Sequence, residues 1–348
     1  MTAKSKVRAW ARNCFKLATL LLFVVHLTGC ADLSPTDTEA AKLESSPLPT
    51  STTSNPTASP TRPVASPSAT ITPRPTVTPS PAALPASSSP LTTPPPTDTA
   101  LPRNTPTATS TATPEPTPTD GGASRVVPIL MYHYLSKPPA DADAIRRDLS
   151  VTPANFEAQL AYLGQAGYET ISLETLAYAL SQDAPLPEKP IILTFDDGHR
   201  DNYENAFPLL RKYGYTATFF VFTQVIDTYN VDFLTWEMVI EMDQAGMEFG
   251  SHSYRHLDMS NRDVDFLVYE ILGSKQAIED RIGEPVHFFA YPSGAYDALT
   301  IEVLDSANFW GAMTTKWGST HTYANRFEMP RIRMQGNDRV KDLANKLP

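Results

Sequence analysis

Residues 189–200 read Lys-Pro-Ile-Ile-Leu-Thr-Phe-Asp-Asp-Gly-His-Arg, and this stretch narrows the fold more than any other. Pro190 opens an apolar run, Ile191-Ile192-Leu193, without polar alternation. That is the pattern of a strand covered on both faces, as in a parallel sheet flanked by helices. The run ends abruptly in Asp196 and Asp197, then Gly198 permits a sharp turn and a helical pattern begins near Asp201. Adjacent carboxylates at the end of a buried strand repel each other unless a positive group stands beside them. A divalent cation is the simplest such group. A single Asp would serve as a helix N-cap; a pair after so apolar a strand points to a site.

The core has to be built from residues 124–348. Residues 31–123 contain no Phe, Tyr or Trp and hold most of the chain's 33 prolines, so they bury too little apolar surface to offset the entropy of ordering. What remains is a normal length for one α/β barrel domain. A formal charge of −10 and a pI of 5.2, with no basic stripe, exclude a nucleic-acid partner. The two cysteines, Cys14 and Cys30, both lie outside 124–348. A metal in the folded region must therefore use His and carboxylate ligands.

Residues 1–30 have the form of an export signal: Lys4, Lys6, Arg8, Arg12 and Lys16 precede an apolar stretch from Leu17 to Leu27 that is too short to span a bilayer comfortably. The stretch ends in Leu27-Thr28-Gly29-Cys30, which resembles the bacterial lipobox. The resemblance implies cleavage before Cys30 and lipidation of its thiol. Residues 31–123 are expected to be a disordered, semi-rigid polyproline-II spacer reaching on the order of 250 Å when extended.

From Arg125 onward, strand and helix signals alternate. Strands are expected at 126–132, 168–171, 190–195, 216–222, 247–250, 286–290, 309–314 and 329–334. Helices are expected at 152–166, from Ser172, and at 202–213, 236–245, 263–281 and 298–307. Such alternation gives a parallel α/β fold with right-handed crossovers. Polar clusters fall at the carboxyl ends of several strands, where barrel enzymes place their sites.

One cluster is Ser251-His252-Ser253-Tyr254-Arg255-His256. Residues four apart share a face if the segment is a helical turn. Two His and one carboxylate form a ligand set that leaves positions open for water and substrate. Together, Thr194-Phe195-Asp196-Asp197-Gly198 and His252-Ser253-x-x-His256 resemble the first two motifs of the polysaccharide deacetylases (NodB homology domain, carbohydrate esterase family 4). The likeness extends over about 126–335. It implies a distorted (β/α) barrel, with Asp197, His252 and His256 on a divalent metal, usually zinc, and Asp196 as general base.

Later motifs depart from the family. Phe289-Ala290-Tyr291-Pro292-Ser293-Gly294 lacks the frequent Arg before Pro-Tyr, and Ser293 stands where Tyr is common. Tyr291, Pro292 and Ser293 are nonetheless expected to border substrate, with the Ser293 amide helping an oxyanion hole. The Asp-Trp pair of the fourth motif is not evident in 310–317. Arg331-Ile332-Arg333-Met334 occupies the place of a late Leu-x-His. His133, ending Leu130-Met131-Tyr132-His133, is expected to be the general acid, with His321 as rival. The Met-Tyr-His setting resembles the poly-β-1,6-N-acetylglucosamine deacetylase branch.

The expectation is an exported, membrane-anchored, monomeric hydrolase of linear amides that removes N-acetyl groups from an extracellular N-acetylglucosamine polysaccharide. A sugar-binding pseudoenzyme and an O-acetyl xylan esterase are the alternatives.

Overall fold

The computed structural model describes residues 4–7, 115–118 and 123–348. These belong to a unit comprising 1–28 and 108–348; a second unit, 29–107, lies outside the described residues, as do Cys30 and nearly all of the expected spacer. Among the described residues no helix is long and apolar enough to cross a membrane.

Seven parallel strands close a barrel: β1 (Ile129–Tyr132), β2 (Pro190–Phe195), β3 (Thr218–Val221), β4 (Glu248–Ser251), β5 (Phe288–Ala290), β6 (Gly311–Trp317) and β7 (Met329–Arg333). Each pairs with the next in sequence, and β7 pairs back onto β1 through Ile332 and Leu130. The distorted (β/α) barrel expected from the sequence is the fold found. A short strand, Glu169–Thr170, pairs in parallel with the start of β2 at Pro190 and Ile191.

Alternation along the strands divides the apolar residues into two groups. Ile129, Ile192, Phe220, Phe288, Met313 and Met329 belong to one cluster, inside the barrel. Leu130, Tyr132, Leu193, Phe195, Phe219 and Phe249 belong to the other, under the helices. Tyr132, Phe195 and Phe219 stack across three strands, with ring centroids 5.3 and 4.8 Å apart. Both faces of β2 are thus buried, the condition its uninterrupted apolar run implied. Thr194 and Asp196 fall on the inward phase of this alternation.

Helix starts follow local capping chemistry. Thr152, Ser172, Thr235, Asp263 and Asp297 each cap a helix by accepting a backbone N–H. The helix after β2 differs from expectation: it passes through a π-turn at Asn202–Ala206 before the α-helix Phe207–Tyr213. The segment 252–256 is not a helical turn. It is a loop in which Ser253 and His256 take left-handed backbone angles, φ 68° and 56°.

Candidate active site at the barrel mouth

Asp197 sits two residues past the end of β2 with φ 75°, followed by Gly198 at φ 69°. A Cβ on Gly198 would meet Val221 Cγ1 at 2.9 Å, so the turn needs glycine both for its angle and for its space. This turn swings the Asp197 carboxylate across the mouth toward the loop after β4. There Asp197 Oδ1 lies 3.3 Å from His252 Nε2 and 3.2 Å from His256 Nε2. On its other oxygen, Oδ2, stands His199 Nε2 at 3.3 Å.

Asp197, His252 and His256 offer one donor atom each, all within 4.8 Å of one another. Donors about 2.1 Å from one ion are about 3.0 Å apart at a right angle and about 3.4 Å at the tetrahedral angle. The observed 3.2–3.3 Å separations fall in that interval. The ring of His252 is oriented by Nδ1, which donates to the Ala290 carbonyl over 2.7 Å. That bond leaves the Nε2 lone pair aimed at the cluster, as a ligating imidazole requires. The three residues fit a divalent ion.

The cluster's electrostatics agree with its geometry. Burial alone would raise the pKa of Asp197, but the three imidazoles that face it, His199, His252 and His256, hold it well below the usual carboxylate range. Burial pushes His256 down, and its bond to Asp197 more than reverses this.

Asp196 has a different partner. Arg331, fully buried in β7, grips it with both arms, Nη1 to Oδ1 at 2.7 Å and Nη2 to Oδ2 at 2.6 Å. Arg331 also donates to the Thr314 carbonyl and to Thr194 Oγ1. The pairing register between β6 and β7 slips between Met329 and Arg331, the kind of irregularity that re-aims a side chain. Burial raises the pKa of Asp196, yet the charge and hydrogen bonds of Arg331 outweigh it and hold the group ionised. Sequence reasoning passed over Arg331, placing it only where a late His was missing. The available signal was an Arg at an inward strand position, which needs a buried anion.

His133 follows β1 and brings Nε2 to 4.0 Å from Asp196 Oδ2. Its carbonyl accepts from Asn202 in the π-turn, and its Nδ1 is buried with no hydrogen-bond partner among the described residues. Burial holds its pKa below the ordinary value against the pull of the two aspartates. His321 is elsewhere. It pairs with Arg125 ahead of β1, its Nε2 bonds the Val127 carbonyl, and burial lowers its pKa to about 4. That is the amino-terminal end of β1, away from the mouth.

The segment 291–293 divides. Tyr291 is buried, its hydroxyl donating to the Phe327 carbonyl and its amide to the Met313 carbonyl. Pro292 is buried too, so neither side chain presents a surface to a ligand; Ser293 is exposed, at φ 54°. Tyr291 and Pro292, expected to border substrate, have their side chains packed inward.

His199, unassigned in the sequence reading, is held by stacking. The Tyr134 ring lies 3.5 Å from it, Phe233 packs at 5.0 Å, and the Arg146 guanidinium covers the Tyr134 ring at 3.2 Å.

Comparison with known proteins places this geometry among relatives. The family model described as polysaccharide deacetylase matches residues 183–311. YxkH of Bacillus subtilis (strain 168), named for the polysaccharide deacetylases, is 30% identical over 208 residues, covering 60% of this chain and 71% of that protein. The poly-β-1,6-N-acetyl-D-glucosamine N-deacetylase of Escherichia coli (strain K12) is 24% identical over 60% of this chain, a match that spans 37% of that enzyme's length. Among solved structures, the Streptococcus pyogenes deacetylase PplD, in complex with acetate, superposes with a TM-score of 0.61 at 31% identity, over 65% of this chain and 99% of that one.

Proposed function

The chain belongs to the polysaccharide deacetylase family, and on that premise we propose that it is a metal-dependent hydrolase removing N-acetyl groups from an extracellular N-acetylglucosamine polysaccharide. The observation that carries the reading is the division of the two aspartates, Asp197 against two imidazoles and Asp196 against Arg331. The substrate class rests on relatives named for poly-β-1,6-N-acetyl-D-glucosamine.

Asp197, His252 and His256 would hold the ion, with zinc suited to a set of one carboxylate and two imidazoles. A divalent cation there supplies Lewis-acid polarisation of an acetamide carbonyl and makes water more acidic. Asp196 is the general base that takes a proton from the attacking water, kept ionised by Arg331. His133, 4.0 Å from Asp196, delivers a proton to the leaving amine. Being held neutral by burial, it must first receive that proton, and Asp196 is the nearest group that has just taken one. The exposed turn at Ser293 offers its backbone N–H to the developing oxyanion. The chain works as a monomer, exported and tethered to the membrane through lipidated Cys30.

The test is acetate release by the purified chain with zinc on β-1,6- and β-1,4-linked N-acetylglucosamine oligomers and on acetylated xylan. Release from an N-acetylated oligomer is the expected result. Release from xylan alone would make the chain an O-acetyl esterase, and binding without release would make it a lectin-like protein. Cys30→Ser should move the protein out of the membrane fraction; continued membrane association would mean that residues 17–27 are an uncleaved anchor.

A further inference from the structure

The long helix Val264–Ile282 buries Leu267, Ile271 and Ile278 against the core, and on the same inward side it buries two polar residues, Glu270 and Ser274. Both are fully inaccessible. A carboxylate placed there is costly unless it is satisfied and paired, and an apolar residue would pack more simply. Four apart on a helix, the two face the same neighbour. That neighbour is the loop from Ser251 to His256.

Glu270 holds Arg255 at two points, Oε2 accepting the Arg255 backbone N–H at 2.8 Å and Oε1 accepting Nε–H at 2.5 Å. Phe266 and Tyr269 flank the Arg255 guanidinium at 5.6 and 5.2 Å. Ser274 Oγ bonds Ser251 Oγ at 3.0 Å, and Ser251 Oγ in turn accepts the Ser253 N–H at 3.3 Å. Inside the loop, Ser253 Oγ accepts the His256 N–H at 2.9 Å. From the other side, the Tyr254 carbonyl accepts the Gln224 N–H. The loop so held contains Ser253 and His256, whose left-handed angles persist only where surrounding contacts over-determine them.

We propose that Glu270 and Ser274 are positioning residues: they mount the loop on the helix so that His252 and His256 present Nε2 to Asp197 before any ion arrives. This rests on the metal-binding reading above. Glu270 touches neither ligand ring. It acts through Arg255, fixing the residue just before His256, while Ser274 acts through Ser251, just before His252.

The experiment measures zinc affinity of the metal-free full chain by competition with a chromophoric chelator, together with the visible spectrum of the cobalt-loaded protein and the melting temperature without metal. Wild type should bind one equivalent. Glu270→Ala should weaken zinc binding about 100-fold and Glu270→Gln, which keeps an acceptor for the Arg255 N–H, about 10-fold. Both should alter the cobalt spectrum, with Gln closer to wild type. If Glu270→Ala does not fold, Glu270→Gln and Ser274→Ala carry the test. Folded variants with wild-type affinity and spectrum, differing only in melting temperature, would overturn the proposal and leave the metal site standing. Failure of wild type to bind an equivalent would overturn both.

Discussion

Arg331 and Asp196 are 135 residues apart and form a two-armed ion pair inside the barrel, with neither side chain appreciably accessible to solvent. The pair joins the middle of the chain to its end, and it ties the candidate base to the strand that closes the barrel. Removing one partner of such a pair costs about 3–5 kcal/mol, because the other charge stays buried alone.

Arg331→Lys offers one point charge in place of a fork, so Asp196 loses part of what keeps its pKa down. The carboxylate must be ionised to accept a proton. Its folded pKa therefore rises, and the acid limb of the activity profile should move to higher pH. Turnover at neutral pH should fall about 10- to 100-fold with zinc still bound. A pH profile with an unmoved acid limb would show that Arg331 does not set the state of Asp196.

The barrel and the gathering of Asp197, His252 and His256 were legible because each rests on local pattern. The Ile191–Leu193 run shows burial on both faces, and Asp197 and the two His follow strand ends that a barrel gathers at one mouth. The spacing of His252 and His256 would suit a helical turn, yet it is a loop with two left-handed residues, bonded to Glu270 and Ser274, that brings the pair to Asp197. Arg331 and the inward turn of Tyr291 were not legible. Both depend on pairing between distant strands, and in Arg331 on a register slip that no local signal encodes.

The two aspartates should separate by substitution. Asp197→Ala or His252→Ala leaves two ligands and should abolish zinc binding and activity together. Asp196→Asn keeps shape but removes proton affinity, so zinc should remain while turnover falls by roughly 10²–10⁴. Measured zinc content alongside turnover decides it: joint loss in Asp196→Asn would make both aspartates ligands.

His133 and His321 should also part company. His133→Ala should cut turnover strongly with zinc and fold retained, since the ring stands beside Asp196 at the mouth. His321→Ala should leave turnover per folded molecule near wild type and lower the melting temperature, because the ring is buried and bonded to Val127. Its folded pKa of about 4 lies below the unfolded value, so its contribution is present above about pH 6.5 and is lost as pH falls toward 4. The stability difference between wild type and His321→Ala should shrink over that window; a turnover loss in His321→Ala exceeding that in His133→Ala would reverse the assignment.

At the amino-terminal end of β4 and β5, Glu174, Asp243, Glu248 and Glu284 surround one cavity. Burial first, then the charge of Glu284, pushes Asp243 up to about 6. A carboxyl raised in the fold favours the folded state while protonated, and that advantage is lost as pH rises from the unfolded value near 4 through 6. At neutral pH the group is therefore a net liability, though its partial exposure and salt screening keep the effect modest. Asp243→Asn removes the charge and keeps the shape. Its melting temperature should exceed wild type by about 2 °C at pH 7.5 and match it at pH 4, and Glu284→Gln should give part of the same gain. A gain of equal size at both pH values would mean that the substitution acts through packing, and that the carboxylates around this cavity do not strain one another.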